Sequence, residues 1–138
     1  MDRYKNYHWI TPEVAVGDWL TPNSLFSLVV DLNFPDNQAN ENDIYVLSNI
    51  IHVGLKDDIN SKIQPLVTRV MNLIKETPHK KILFRCRMGV SRSVTFACFY
   101  LADTLQISAN QALEMIKDKR RVADPNPGFL LTLKTDFL

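Results

Sequence analysis

Cys86 and Arg92, six positions apart with Gly89 between them, are the residues whose types and spacing most directly suggest chemistry. They lie in the segment 82–93, ILFRCRMGVSRS, which continues as an apolar run to Leu105. This stretch reads as a short buried strand, a tight loop, and a helix that begins where the loop ends. The loop residues Arg87, Met88, Gly89, Val90 and Ser91 can curl so that their N–H groups converge. Such a nest at a helix N-terminus binds a tetrahedral dianion. Gly89 permits positive φ or a close backbone approach at the middle of the curl. The Arg92 guanidinium can grip two phosphate oxygens as a fork. The same amides and the helix dipole favour an ionised sulfur at Cys86. A sulfur nucleophile under phosphorus, with donors around the oxygens, makes a site for hydrolysing phosphate esters. A cysteine that merely packs would explain neither the glycine nor the Arg-Ser pair at these spacings.

The pattern Cys-x5-Arg-Ser with an internal glycine resembles the signature loop of the cysteine-based protein phosphatases. The residues Cys86 to Ser93 look like the dual-specificity branch, and within it the slingshot-type members. The resemblance covers about residues 8–138. It implies an α/β fold, a mostly parallel twisted central sheet of about five strands flanked by helices. It also implies a shallow cleft that accepts phosphotyrosine and phosphoserine or phosphothreonine, and hydrolysis through a phosphocysteine intermediate without a metal or cofactor. The family takes its general acid from a loop after a strand, about thirty residues before the cysteine. An ungapped match to the slingshot-type pattern puts Asp57 there, with the adjacent Asp58 as rival. Ser93 can hydrogen-bond the sulfur and stabilise it as a leaving group, and it can equally cap the helix. Asn126 sits in PNPGF (125–129), which looks like a late family element whose Asn helps hold the phosphate loop. It would equally serve as a helix N-cap with Pro127 at N1.

One residue departs from the family. A histidine almost always precedes its cysteine, and this chain has Arg85. Arg85 keeps a positive charge near Cys86 but cannot copy imidazole geometry, and when buried it needs an acidic or carbonyl partner. Retained but reduced activity is the expectation. Two alternatives stay open: a non-catalytic phosphopeptide-binding module, and a phosphatase for RNA 5′ ends or phosphoinositides.

The elements that must position these residues can be read in order. Residues 10–17 suggest a short strand ending at a Gly turn, and 21–24 another turn. Trp9 and Trp19 read as core or lid packing. Ser27–Leu32 is apolar apart from Asp31 and reads as an inner parallel strand. Residues 33–43 form a polar loop, Ile44–Leu47 and Asn49–Val53 two further strands, and 54–60 a loop carrying Asp57 and Asp58. A helix starts near Ile63, with Pro65 in its first turn, and stops before Thr77-Pro78. Val94–Leu105 is apolar on nearly all sides, as suits a central helix. Ser108 and Gln111 form a capping box for the next helix. Lys117–Arg121 reads as a basic, solvated last turn, and residues 129–133 as a final helix.

At 138 residues the chain is expected to be one domain with a core that needs no staple. A net charge of +1 gives no reason to expect nucleic acid or a membrane surface as partner. Phosphoprotein substrates are the expected partners, with the chain a monomer or weak homodimer. The two cysteines, Cys86 and Cys98, suggest a reducing interior, cytoplasm or nucleus. The N-terminus has neither a signal core nor a glycine for myristoylation.

Overall fold

The computed structural model describes residues 5–135; positions 1–4 and 136–138, including most of the segment on which the expectation about a leader rests, lie outside the described residues. Three continuous apolar runs form adjacent inner strands because only a site covered on both faces suits such a pattern. The strands are β1 (Tyr7–Trp9), β2 (Val14–Gly17), β3 (Leu28–Asp31), β4 (Ile44–Leu47), β5 (Ile50–Val53) and β6 (Ile82–Arg85). They form one six-stranded sheet in the order β1-β2-β6-β3-β5-β4. The inner four run parallel, and β1 and β4 lie antiparallel at the two edges. The sheet thus has one strand more than the approximate count expected, because Tyr7–Trp9 pairs back onto β2.

The helices are α1 (Gln64–Glu76), α2 (Arg92–Leu105), α3 (Ala109–Lys119) and α4 (Pro127–Thr135). Strand residues alternate between faces. Val14, Val16, Leu28, Val30, Ile82 and Phe84 share one core with buried residues of all four helices. Their neighbours Ala15, Val29 and Leu83 meet Phe26 on the opposite face, with Tyr7 and Trp9 packed against them. α2 lies at the centre, buried at every residue from Arg92 to Phe99. The capping box of α3 forms as the sequence suggests, with Gln111 N–H donating to Ser108 Oγ and Ser108 N–H to Gln111 Oε1. No described helix is long and apolar enough to cross a membrane.

The register brings the strand ends together. Gly17 and Asp31 both align with Arg85, and Asp31 with His52. The loops that follow β2, β3, β5 and β6 therefore emerge side by side at the carboxyl edge, where open α/β sheets bind ligands. The Asp31–Arg85 alignment also answers the requirement for a partner at Arg85. Its Nε donates to Asp31 Oδ2 at 2.9 Å, and its Nη2 lies in ion-pair contact with the same oxygen, also at 2.9 Å. Its Nη1 donates to the Thr21 carbonyl and to Asn23 Oδ1. Asp31 Oδ1 also accepts from the Asn33 N–H and from Asn37 Nδ2. Next in the row, His52 stacks on Tyr45 with centroids 4.4 Å apart. Burial pulls the His52 pKa down, Asp31 pushes it up, and Arg85 adds to the lowering.

Removing one member of a buried ion pair strands the other charge. Arg85→Met should therefore cost about 3–5 kcal/mol in chemical denaturation, and the double variant Arg85→Met/Asp31→Leu should recover much of that loss.

Candidate active site

The loop after β6 closes over Cys86, which is buried at the strand's exit. Its Sγ lies 3.1 Å from Ser93 Oγ and accepts from the Ser93 N–H at 3.4 Å. Ser93 is the second residue of α2, so helix start and sulfur position are fixed together. The other cysteine, Cys98, is buried within α2, where desolvation drives its thiol far above the ordinary range. Cys98 packs and does no more.

The peptide groups of the loop face two ways. All five carbonyls from Arg87 to Ser91 point outward onto donors. The Trp19 N–H reaches Arg87 O, the Asp124 N–H reaches Val90 O, and the Thr95 N–H reaches Ser91 O. Met88 O and Gly89 O accept from Arg120 Nη2 at 3.3 Å and Nε at 2.8 Å. Among the described residues, the amides of Arg87 to Arg92 meet no protein acceptor, and the planarity of the peptide groups turns those of Met88 to Arg92 away from the outward carbonyls, toward the concave side. Gly89 makes the curl at φ 66°. A side chain there would also collide with the Gly17 backbone, 2.7 Å from an ideal Cβ.

Arg92 is buried, and its Nη1 donates to the carbonyls of Phe34 at 2.9 Å and Leu55 at 3.0 Å. One nitrogen thus anchors the loops after β3 and β5, which leaves Nε and Nη2 as a fork for an anion. Asp57 and Asp58 part company in space. Asp57 Oδ1 accepts from Ser91 Oγ at 2.7 Å and from Asn126 Nδ2 at 2.8 Å. Asp58 Oδ1 accepts from the Asn60 N–H in a local turn. Asn126 reaches the loop through its backbone and Asp57 and α4 through its side chain. Its Oδ1 caps α4 by accepting the Phe129 N–H, and its own N–H donates to Ser91 Oγ.

At the rim, Arg87 pairs with Asp36 at 2.8 Å and stands over the Trp19 ring, 5.3 Å from its centroid. Trp19 is half exposed, so it walls the cleft and takes no part in the core. Met88 projects from the crest of the loop, 66% exposed. Arg85 turns its guanidinium to Asp31, Thr21 and Asn23, and among the described residues it makes no side-chain hydrogen bond to the loop.

Arg120 corrects the sequence reading. It belongs to a stretch that reads as a solvated basic turn, yet it is 2% exposed and holds two loop carbonyls. Helical periodicity could not find it, because it sits at the C-cap of α3 with extended φ and ψ. The usable signal was the outward carbonyls of any such nest, which require buried donors.

Residues 15–136 match the family model described as dual specificity phosphatase, catalytic domain. Human dual specificity protein phosphatase 8 is 27% identical over 86% of this chain and 19% of its own length. Human dual specificity protein phosphatase 16 is 29% identical over 60% of this chain and 13% of its own. Human Slingshot homolog 3 is 42% identical over 38% of this chain and 8% of its own length. The chain thus spans only a small part of these relatives. Among solved structures, human DUSP28 superposes with a TM-score of 0.73 at 21% identity, covering 95% of this chain and 92% of that one. The PTP-2 phosphatase of Cydia pomonella gives 0.72 at 25% identity, covering 94% and 89%. The family match runs from β2 through α4 and takes in the whole cysteine loop, and the fold is that of solved phosphatases; the chain belongs to the dual-specificity phosphatase family.

Proposed function

We propose that this protein hydrolyses phosphotyrosine and phosphoserine or phosphothreonine in protein substrates through a phosphocysteine intermediate. The observation that carries the reading is the set of unpartnered amides from Arg87 to Arg92, closing over the sulfur of Cys86 with the Arg92 fork beside them. Phosphate oxygens fill that ring, which puts phosphorus directly over Sγ. In the first step Sγ bonds to phosphorus as the ester P–O bond breaks, and Asp57 gives its proton to the departing oxygen. In the second, water attacks phosphorus while Asp57 takes a proton back. The P–S bond breaks, and the Ser93 hydroxyl stabilises the leaving sulfur. Arg92 and the amides hold the equatorial oxygens through both transition states. The hydrogen bonds from Ser91 and Asn126 keep Asp57 aimed at the mouth of the loop, so the acid is positioned before substrate arrives.

Cys86→Ser should abolish turnover of p-nitrophenyl phosphate while leaving phosphopeptide binding measurable. Asp57→Asn should lower kcat by about 10²–10³ on phenyl phosphate, whose leaving group needs the proton, and far less on p-nitrophenyl phosphate. An equal loss on both esters would remove Asp57 from the acid role.

Because the Arg85 guanidinium is bonded to Asp31, Thr21 and Asn23 and not to the loop, the wild-type chain should be active, and Arg85→His should keep kcat within about tenfold. A silent wild type that gains activity only as Arg85→His would favour the phosphopeptide-binding alternative. Phosphate release measured in parallel on phosphotyrosyl peptide, phosphothreonyl peptide and a phosphoinositide tests the substrate class. Turnover of the lipid alone would overturn it.

A further inference from the structure

Arg120 has no role in the two steps above, yet among the described residues it is the largest side chain to be almost wholly buried. It enters from the end of α3, while the next residue, Arg121, is exposed. Among the described residues, no carboxylate pairs with it. Its guanidinium donates instead to Gly89 O and Met88 O on one side. On the other it reaches Lys5 O at 3.2 Å and His8 Nδ1 at 2.9 Å. An arginine can only donate, so Nδ1 accepts and His8 is neutral at that nitrogen. Burying a cation without a carboxylate is costly. Desolvation lowers its pKa, and the negative charges that act against this are Asp18 and the sulfur of Cys86.

A trans peptide plane points its C=O and its N–H in opposite directions. The carbonyls of Met88 and Gly89 belong to the same planes as the amides of Gly89 and Val90. Pulling those two carbonyls outward turns these two amides into the cradle. Gly89 is packed tightly against the guanidinium, since a Cβ on it would stand 2.5 Å from Nη2.

We propose that Arg120 is a positioning residue of the phosphate site: its fork sets the planes that present the Gly89 and Val90 amides to the anion, and His8 braces its outer end. This rests on the catalytic reading above. It goes further in naming what orients the cradle and in placing a second cation behind it. A lysine supplies the charge but not the two parallel donors.

The test compares wild type, Arg120→Lys, Arg120→Met and His8→Ala, with vanadate as the anion probe and p-nitrophenyl phosphate as substrate. For Arg120→Lys the expected result is a loss of about tenfold or more in both kcat and vanadate affinity, with Tm lowered by only a few degrees. Arg120→Met should lose more, because two carbonyls are left without donors. His8→Ala, which removes the acceptor at the outer end of the Arg120 guanidinium, should weaken vanadate inhibition by about two- to fivefold. A merely structural role would lower Tm and leave the folded fraction with wild-type kcat and vanadate affinity, and that outcome overturns the inference. If both Arg120 variants fail to fold, unchanged vanadate inhibition in His8→Ala overturns it equally. A wild type that neither turns over the ester nor binds vanadate would defeat the catalytic reading itself. Wild-type activity with unaffected variants would defeat this inference alone.

Discussion

An anion cradle made of backbone has a constraint built into it. Each amide that faces the ligand forces a carbonyl to face the protein, and a buried carbonyl without a donor is as costly as a buried amide without an acceptor. The phosphate loop can keep its amides turned inward only because every outward carbonyl from Arg87 to Ser91 finds a donor. Those donors come from four separate places: the turn after β2, the first turn of α2, the end of α3 and the segment leading into α4. The loop is thus shaped by the surrounding fold at least as much as by its own seven or eight residues.

The same economy governs the polar side chains. Arg92 spends one nitrogen on Phe34 and Leu55 and thereby ties two strand-end loops to the helix that carries it. The Ser91 hydroxyl accepts from the Asn126 N–H and donates to Asp57, so Asp57, the loop and the cap of α4 share one small network. Partly satisfied networks of this kind are unstable, and fully satisfied ones are rigid. Rigidity of this kind suits the proposed reaction, whose catalysis would lie mainly in placing donors where charge develops.

Arg85, mostly covered, and Arg120, buried, show how far local surroundings decide what a residue does. Arg85 lies in the sheet and is neutralised by Asp31, so its charge is bound up in the fold. Arg120 bonds carbonyls and an imidazole and, among the described residues, is paired with no carboxylate, so its charge stays directed at the cysteine loop. The half-exposed Arg87 balances Asp36 and the Trp19 ring at the rim. Three residues of one type, all within reach of the strand ends, thus hold the sheet, shape the cradle and wall the cleft.

Much of this was legible from residue order alone, because it rests on interactions close in the chain. The strand, loop and helix around Cys86 follow from two apolar runs, 82–84 and 94–105, joined by a short, mostly polar stretch with one glycine. The capping box at Ser108 and the break at Asp124–Gly128 are equally local. What residue order could not decide is which distant groups meet. Asp57 and Asp58 are equivalent as letters. Only the path of the chain after β5 turns one toward Ser91 and leaves the other in a turn with Asn60. Asp31 reads as an interruption of an apolar strand until the register sets it beside Arg85. Arg120 reads as solvated because its neighbours are basic and exposed; its burial depends on where α3 ends relative to a loop some thirty residues earlier. Periodicity reports which face of an element is apolar, whereas the pairing of buried polar groups is set by packing between elements, which no local pattern encodes.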